Sequence, residues 1–338
     1  MTVQSLRRKA ANASAVFGPT KSLLPGGYRY FNVNANIKTM PAMAQGGMQL
    51  SRSARFRELL KTPPFICLGA HDAVTAKLAE QAGAQAIYVS GFAASAIVAG
   101  EPDFGVLTQT EMFEHIRRIC RVTTIPVFAD ADTGYGGVLE AQRTMKLWEE
   151  SGASVLHLED QAMPKKCGHF AGKQLVPPEE MRQKLRAMLE ARQDPDFFIV
   201  ARTDAVAVTG LNDAIERLIS YSEVGADGLY VDAPESVEQL NEIARRLKPL
   251  GKPLLFNMAR SGKSPYLSMK EVYELGFDYA LCPIEPMFAM HKAVKEMMEI
   301  FLREGSTNAV ADRLTPFDEF NKFIGLPEMA AREKHFSS

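Results

Sequence analysis

Cysteine is scarce: four in 338 residues, at positions 67, 120, 167 and 282, with no CxxC pair. That spacing excludes a dithiol redox motif and a zinc ribbon, which need closely paired thiols. So few thiols in a long chain suit a reducing compartment. Long apolar runs are missing too. None approaches the roughly 18 residues that a membrane helix requires, so no membrane partner is expected. Nor is there an excess of one charge over the whole chain, whose formal net charge is −1. A general nucleic-acid binder carries a strongly basic balance, and none is expected here.

One absence is local. Before Glu58 the chain has nine Lys or Arg and no Asp or Glu. "MTVQSLRRKAANASAVFG" is basic, acid-free and rich in Ser and Ala, in the manner of an organellar transit peptide, and it lacks the apolar h-region of a secretory signal. The alternative is a basic arm that packs on a neighbouring subunit. Residues 1–50 are therefore set apart from the rest. The expected compartment is the cytoplasm, or the mitochondrion if this segment is a transit peptide.

What is present begins with apolar content: 46% of residues, enough for a sizeable core. From Pro63 onward, short apolar runs alternate with amphipathic stretches of helical length, the pattern of βα units. Eight runs read as strands: 65–70, 86–91, 126–132, 154–160, 197–204, 228–233, 253–258 and 279–283. "QAGAQAIYVSG", "ESGASVLHLED", "EVGADGLYVDA" and "ELGFDYALCP" each place a Gly at a helix end, ahead of a strand. A doubly wound sheet uses the same elements, but eight such units in about 250 residues fit an α/β closed (β/α)8 TIM-type barrel better. The barrel is assigned to 51–305 and a C-terminal helical tail to 306–338. "MHKAVKEMMEIFLREG" (290–305) reads as barrel helix and core.

Polar residues gather at the C-terminal ends of these strands: Ser90, Asp130, Asp132, Glu159, Asp160, Arg202, Asp204, Asp232 and Asn257. In a parallel barrel all those ends open on one face, where catalysis takes place. Asp130 and Asp132, two apart in an extended chain, point to the same side. With Glu159 they form a set of hard oxygen donors suited to Mg²⁺, or Mn²⁺, rather than Zn²⁺. The alternative reading makes them helix caps and loop ion pairs. In "EDQAMPKKCGH" (159–169), Cys167 lies among lysines and a histidine, surroundings expected to favour a thiolate. Gly168 permits a turn, as in a loop that closes over substrate. Arg202 offers a planar fork for a carboxylate or, alternatively, a partner for Asp204. Asn257 and "SGKSP" (261–265) add donors suited to an anion.

"YVSGFAAS" (88–95), "DADTGYGG" (130–137), "LEDQ" with "PKKCGH" (158–169), "ARTDA" (201–205) and "NMARSGKSP" (257–265) together resemble the isocitrate lyase/phosphoenolpyruvate mutase superfamily. The resemblance runs from about residue 52 to 300. The "PKKCGH" loop is similar to that of the family's C–C lyases, and of some oxaloacetate hydrolases. "EARQDPDFFIVARTDA" and "NMARSGKSP" resemble the 2-methylisocitrate and 2,3-dimethylmalate lyase branch and proteins labelled carboxyphosphonate mutases. It implies that Ser90, Gly91 and Phe92 bind the substrate's carboxylate end. Asp130 is then the direct Mg²⁺ ligand, with Asp103, Asp132 and Glu159 holding the ion largely through water. Lys165, Cys167 and His169 fall on a gating loop, with Cys167 as the acid that protonates an enolate product. Arg202 becomes the substrate clamp, and Asn257 and Asp232 polar contacts to substrate; many members carry Glu where Asp232 stands.

The implied activity is Mg²⁺-dependent C–C cleavage of a 2-hydroxy di- or tricarboxylate. Oxaloacetate hydrolysis or decarboxylation, phosphonate P–C chemistry and a non-catalytic dicarboxylate-binding barrel are the rivals. The resemblance also implies a homotetramer, a dimer of dimers, with C-terminal helices exchanged between subunits.

Overall fold

Eight strands follow one another in the computed structural model, which describes residues 50–260 and 262–337. They are β1 (Phe65–Gly69), β2 (Ala86–Val89), β3 (Val127–Asp130), β4 (Val155–Glu159), β5 (Phe198–Thr203), β6 (Gly228–Val231), β7 (Leu254–Asn257) and β8 (Tyr279–Cys282). Each pairs in parallel with the next, and β8 pairs with β1, so the barrel closes. All eight runs expected from sequence are strands, but they stop up to two residues early. The polar residues at their ends, such as Ser90, Asp132 and Asp232, have left the ladder and project into the loops of the C-terminal face.

Alternation along each strand sorts two apolar layers. On β4, Val155 faces the barrel interior while Leu156 and Leu158 face the helices. The interior is closed from below by the helix Arg52–Leu59, which sequence reading did not single out. Its Phe56 is fully buried, with ring centroids 5.4–6.4 Å from Phe65, Phe128, Phe198 and Tyr279. The repeated glycines do stop helices. Gly83, Gly152, Gly225 and Gly276 have φ of +89°, +91°, +115° and +103°, a left-handed region costly to residues with a Cβ.

The sequence reads 290–305 as barrel helix and core, and within the described chain the core half of that reading does not hold. The helix Glu285–Glu304 buries only Met287, leaving Val294, Met298, Phe301 and Leu302 exposed. A 3₁₀ segment, Asn308–Arg313, and the helices Phe317–Ile324 and Leu326–Ser337 follow. Among the described residues no helix is long and apolar enough to cross a membrane. Residues 1–49, with nearly all of the basic arm, lie outside the described residues, as does Ser261 of "SGKSP".

Candidate active site

Asp130 ends β3, and each of its oxygens accepts a backbone N–H: Oδ2 from Gly91 and Oδ1 from Asp132, both at 3.0 Å. A Cβ on Gly91 would stand 2.9 Å from Asp130 Oδ2 and 3.0 Å from Asp132 Oδ1. Only glycine allows that approach. It also spends the Gly91 N–H on a carboxylate of the protein, so the donor expected there for substrate is not free. Asp132 turns at φ +47° and faces the same corner as Asp130, as the two-residue spacing implied. Beneath them, Tyr88 Oη lies 2.8 Å from His157 Nε2 and 3.4 Å from Asp130 Oδ2. Burial lowers His157 to about 4, against the pull of Asp130, so the ring is neutral near pH 7.

Asp103, Asp130, Asp132 and Glu159 are all buried. Four carboxylates so enclosed need cations. Lys165 supplies one: its Nζ lies 2.7 Å from both Asp103 Oδ1 and Asp132 Oδ1. Burial opposes its charge, but Asp132, Asp103, Glu159 and Asp130 outweigh burial and hold its pKa well above the ordinary value. Burial pushes Asp132 up to about 6 even with Lys165 opposing it. Burial likewise raises Glu159 well above the usual carboxylate range, against the pull of Arg202. Sequence reading had the four acids cage a metal jointly. Among the described residues no three His, Cys, Asp or Glu are grouped to hold an ion by themselves; what Asp103 and Asp132 grip is the Lys165 ammonium. The donor set still suits a hard cation. The acids outnumber the nearby ammonium and guanidinium, and Glu159 Oε1 is buried without a hydrogen-bond partner.

Arg202, near the end of β5, is the second cation. Nε and Nη2 donate to Asp204 at 2.9 and 3.1 Å, Nη2 to Asp232 at 3.1 Å, and Nη1 lies 3.1 Å from Glu159 Oε2. The pairing with Asp204 weighed from sequence is therefore present, and Arg202 lines the cavity while tied to three acids. Asp232 also accepts from the Tyr230 hydroxyl. Burial favours its neutral form, but Arg202, His169 and Lys173 hold it below the usual carboxylate range. Asp160, another strand-end acid, points outward instead. It accepts from Thr203 Oγ1 at 2.7 Å and Tyr221 Oη at 3.0 Å and pairs with Arg217, bracing the wall rather than the mouth.

The segment 161–175 folds over the mouth, pinned at its base by a bridge between Gln161 and Leu175. Cys167 N–H donates to the Asp103 carbonyl at 3.1 Å. The structure reverses the thiolate expected from sequence. Burial pushes the Cys167 thiol up to about 12 against the opposing pull of the His169 backbone N–H, with Asp103 and Asp232 adding smaller pushes in the same direction as burial. Lys165 is turned into the acids, and the His169 ring accepts the Lys263 N–H at Nδ1, 3.1 Å away. Cys167 is a neutral thiol.

Below this flap is a cavity of about 260 Å³. It brings together Ser90, Phe92, Asp103, Asp130, Cys167, His169, Arg202, Asp232 and Asn257, all proposed from sequence. Gly91, Asp132, Glu159 and Lys165 lie behind that lining. Asn257 Oδ1 is buried without a hydrogen-bond partner. Sequence reading missed Tyr88, Tyr230, Phe170, Arg260 and Phe288, which also line the cavity, and His157 beneath it. Three of these had a signal. Tyr88, His157 and Tyr230 each stand two residues before a strand-end polar group, Ser90, Glu159 and Asp232, and so face the same way one layer deeper.

Residues 56–302 match the family described as phosphoenolpyruvate phosphomutase. The chain is 37% identical over 290 residues to 2,3-dimethylmalate lyase of Eubacterium barkeri, covering 86% of this chain and 99% of that one. The chain belongs to this family. It is accordingly an enzyme of the PEP mutase/isocitrate lyase superfamily. The 2-methylisocitrate lyase of Bacillus subtilis (strain 168) is 41% identical over 255 residues, covering 75% of this chain and 83% of that one. Among solved structures, phosphonopyruvate hydrolase in complex with oxalate and Mg²⁺ superposes with a TM-score of 0.78 at 29% identity, over 86% of this chain and all of the other. The family resemblance and the barrel inferred from sequence both hold.

Proposed function

We propose that the enzyme is a Mg²⁺-dependent C–C lyase that splits a 2-hydroxy di- or tricarboxylate of the dimethylmalate or 2-methylisocitrate kind. The products are a 2-oxo acid and a second carboxylic acid. The observation that carries this reading is Cys167: a neutral thiol, held by a closed flap on the rim of a small cavity that also presents Asp130, Arg202 and Asn257. Asp130 would hold the ion directly, with Asp103, Asp132 and Glu159 around it. Bound there, Mg²⁺ supplies Lewis-acid stabilisation of charge at the hydroxy-carboxylate end.

In this reading the 2-hydroxyl loses its proton to a base of the site and its C–O bond becomes a carbonyl. The neighbouring C–C bond breaks, and its electron pair passes to the departing carbon as the enolate of a carboxylic acid. Cys167 then gives that carbon the Sγ proton, so the thiol's raised pKa keeps the proton in place until it is needed. Ser90, Phe92, Asp232 and Asn257 orient the substrate, and the cationic Arg202 faces the charge that develops. Lys165 and His169 act through the flap: one fixes it to the acids, the other to the Lys263 N–H.

The expected assembly, a dimer of dimers with exchanged C-terminal helices, is supported by how little of the helix Glu285–Glu304 is buried within its own chain. The test of the reaction is a mass-spectrometric screen of 2-hydroxy and 2-oxo diacids with Mg²⁺, with and without EDTA. Release of a 2-oxo acid from a hydroxy diacid, abolished by EDTA, supports the lyase. Turnover of oxaloacetate to oxalate and acetate in place of that would replace it with the hydrolase reading.

A further inference from the structure

Lys173, on the returning arm of the flap, plays no part in the chemistry above, yet its side chain is almost wholly buried. Burying an ammonium is costly unless it is fully paired, so its surroundings need a reason. Its Nζ donates to the Gly168 carbonyl, between Cys167 and His169, and to Asp204 Oδ1 at 3.0 Å. The first bond ties one arm of the flap to its tip. The second ties the flap to the barrel at the end of β5. Asp204 is fully buried, and the same carboxylate holds Arg202 through Nε and Nη2.

We propose that Lys173 is the latch of the flap, a positioning residue that seats Cys167 over the cavity by joining the Gly168 carbonyl to Asp204. The proposal rests on the reading of Cys167 as the acid only for its catalytic consequence; the latch itself is a matter of geometry. Asp204 and Arg202 are joined at one strand end, and neither belongs to the flap. Lys173 is the cation that must travel. When the flap is closed, Gly168 lies against Asp232 and Arg202, with no room for a Cβ. Lys165 holds the other arm, so the tip is fastened from both sides.

The test uses the full chain and reads Cys167 directly. Iodoacetamide labelling is followed peptide by peptide by mass spectrometry, with Cys282, a partly exposed thiol outside the flap, as internal control. Lys173→Met is expected to raise the labelling rate at Cys167 at least tenfold while Cys282 stays at the parent rate. Lys173→Gln keeps a donor but loses the charge; it should raise the rate at least threefold, and it carries the test if the Met variant does not fold. Labelling at Cys167 within twofold of the parent in a folded variant, or a parallel rise at Cys282, overturns the latch. Turnover measured on the same samples separates the two ideas, because a lyase reading that fails leaves the labelling result untouched.

Discussion

Gly168 lies so close to Asp232 that a Cβ at position 168 would stand 1.4 Å from Asp232 Oδ2 and 2.8 Å from Arg202 Nη2. Neither neighbour can yield, since Asp232 is held by Tyr230 and Arg202, and Arg202 by three acids. Gly168→Ala therefore leaves the barrel intact and keeps the flap from seating. kcat/KM on the substrate found by the screen should fall by about 100-fold or more, the scale of a misplaced catalytic group. The melting temperature should stay near that of the parent. Unchanged turnover would show that the flap does not need this contact.

Asp130→Asn keeps the shape of the side chain and removes its charge. The Mg²⁺ concentration for half-maximal activity should rise at least 10–100-fold, the range typical even for groups that only support a ligand. A titration of activity against Mg²⁺ measures this. A curve that coincides with the parent's would move the ion away from Asp130.

His157, between Tyr88 and Asp130, should stay neutral well below its ordinary titration range. Its folded value, about 4, lies beneath the unfolded 6.5, so between those values the unfolded chain binds the proton and the folded chain does not. The stabilisation this gives is full above pH 6.5 and is lost as pH falls towards 4. NMR of labelled imidazole carbons gives the midpoint directly. A midpoint near 6.5 would contradict the buried neutral ring.

Phe56→Ala removes the ring that closes the lower end of the barrel. With the ring fully buried against four aromatic rings, the loss should be about 3–5 kcal/mol. Urea unfolding measures it. The site lies at the opposite end, so a variant still folded should retain near-parent kcat.

The barrel was legible because short apolar runs alternating with stretches of helical length are local signals that recur in every unit, and helix-stopping glycines mark four of them. The strand-end acids were legible for the same reason. The direction of each side chain was not. Glu159 and Asp160 are adjacent strand-end acids, yet one faces the site and the other Arg217, which depends on where the strand leaves the ladder. Cys167 was misread because its lysine neighbour in sequence is not its neighbour in space: Lys165 turns to Asp103 and Asp132, and the thiol is left with burial. Tyr88, His157 and Tyr230, one layer deeper, sit inside apolar strand runs and carry no separate signal beyond their two-residue spacing from strand-end polar groups. The helix Glu285–Glu304 was given to the core because an apolar stripe does not say what covers it.

That helix joins two regions that look unrelated. Phe288, on its first turn, packs edge-on against Phe92 with centroids 6.4 Å apart and lines the cavity. Phe301 and Leu302, on its last turns, stand exposed about 20 Å further along the same rod, at ~1.5 Å per residue. If the helix behaves as a rigid rod, a tilt at its far end would reach the wall of the pocket formed by Phe288. A substitution at Phe301 that shifts the far end should register as altered discrimination between substrates differing by a methyl group, although no atom near the bound molecule has changed.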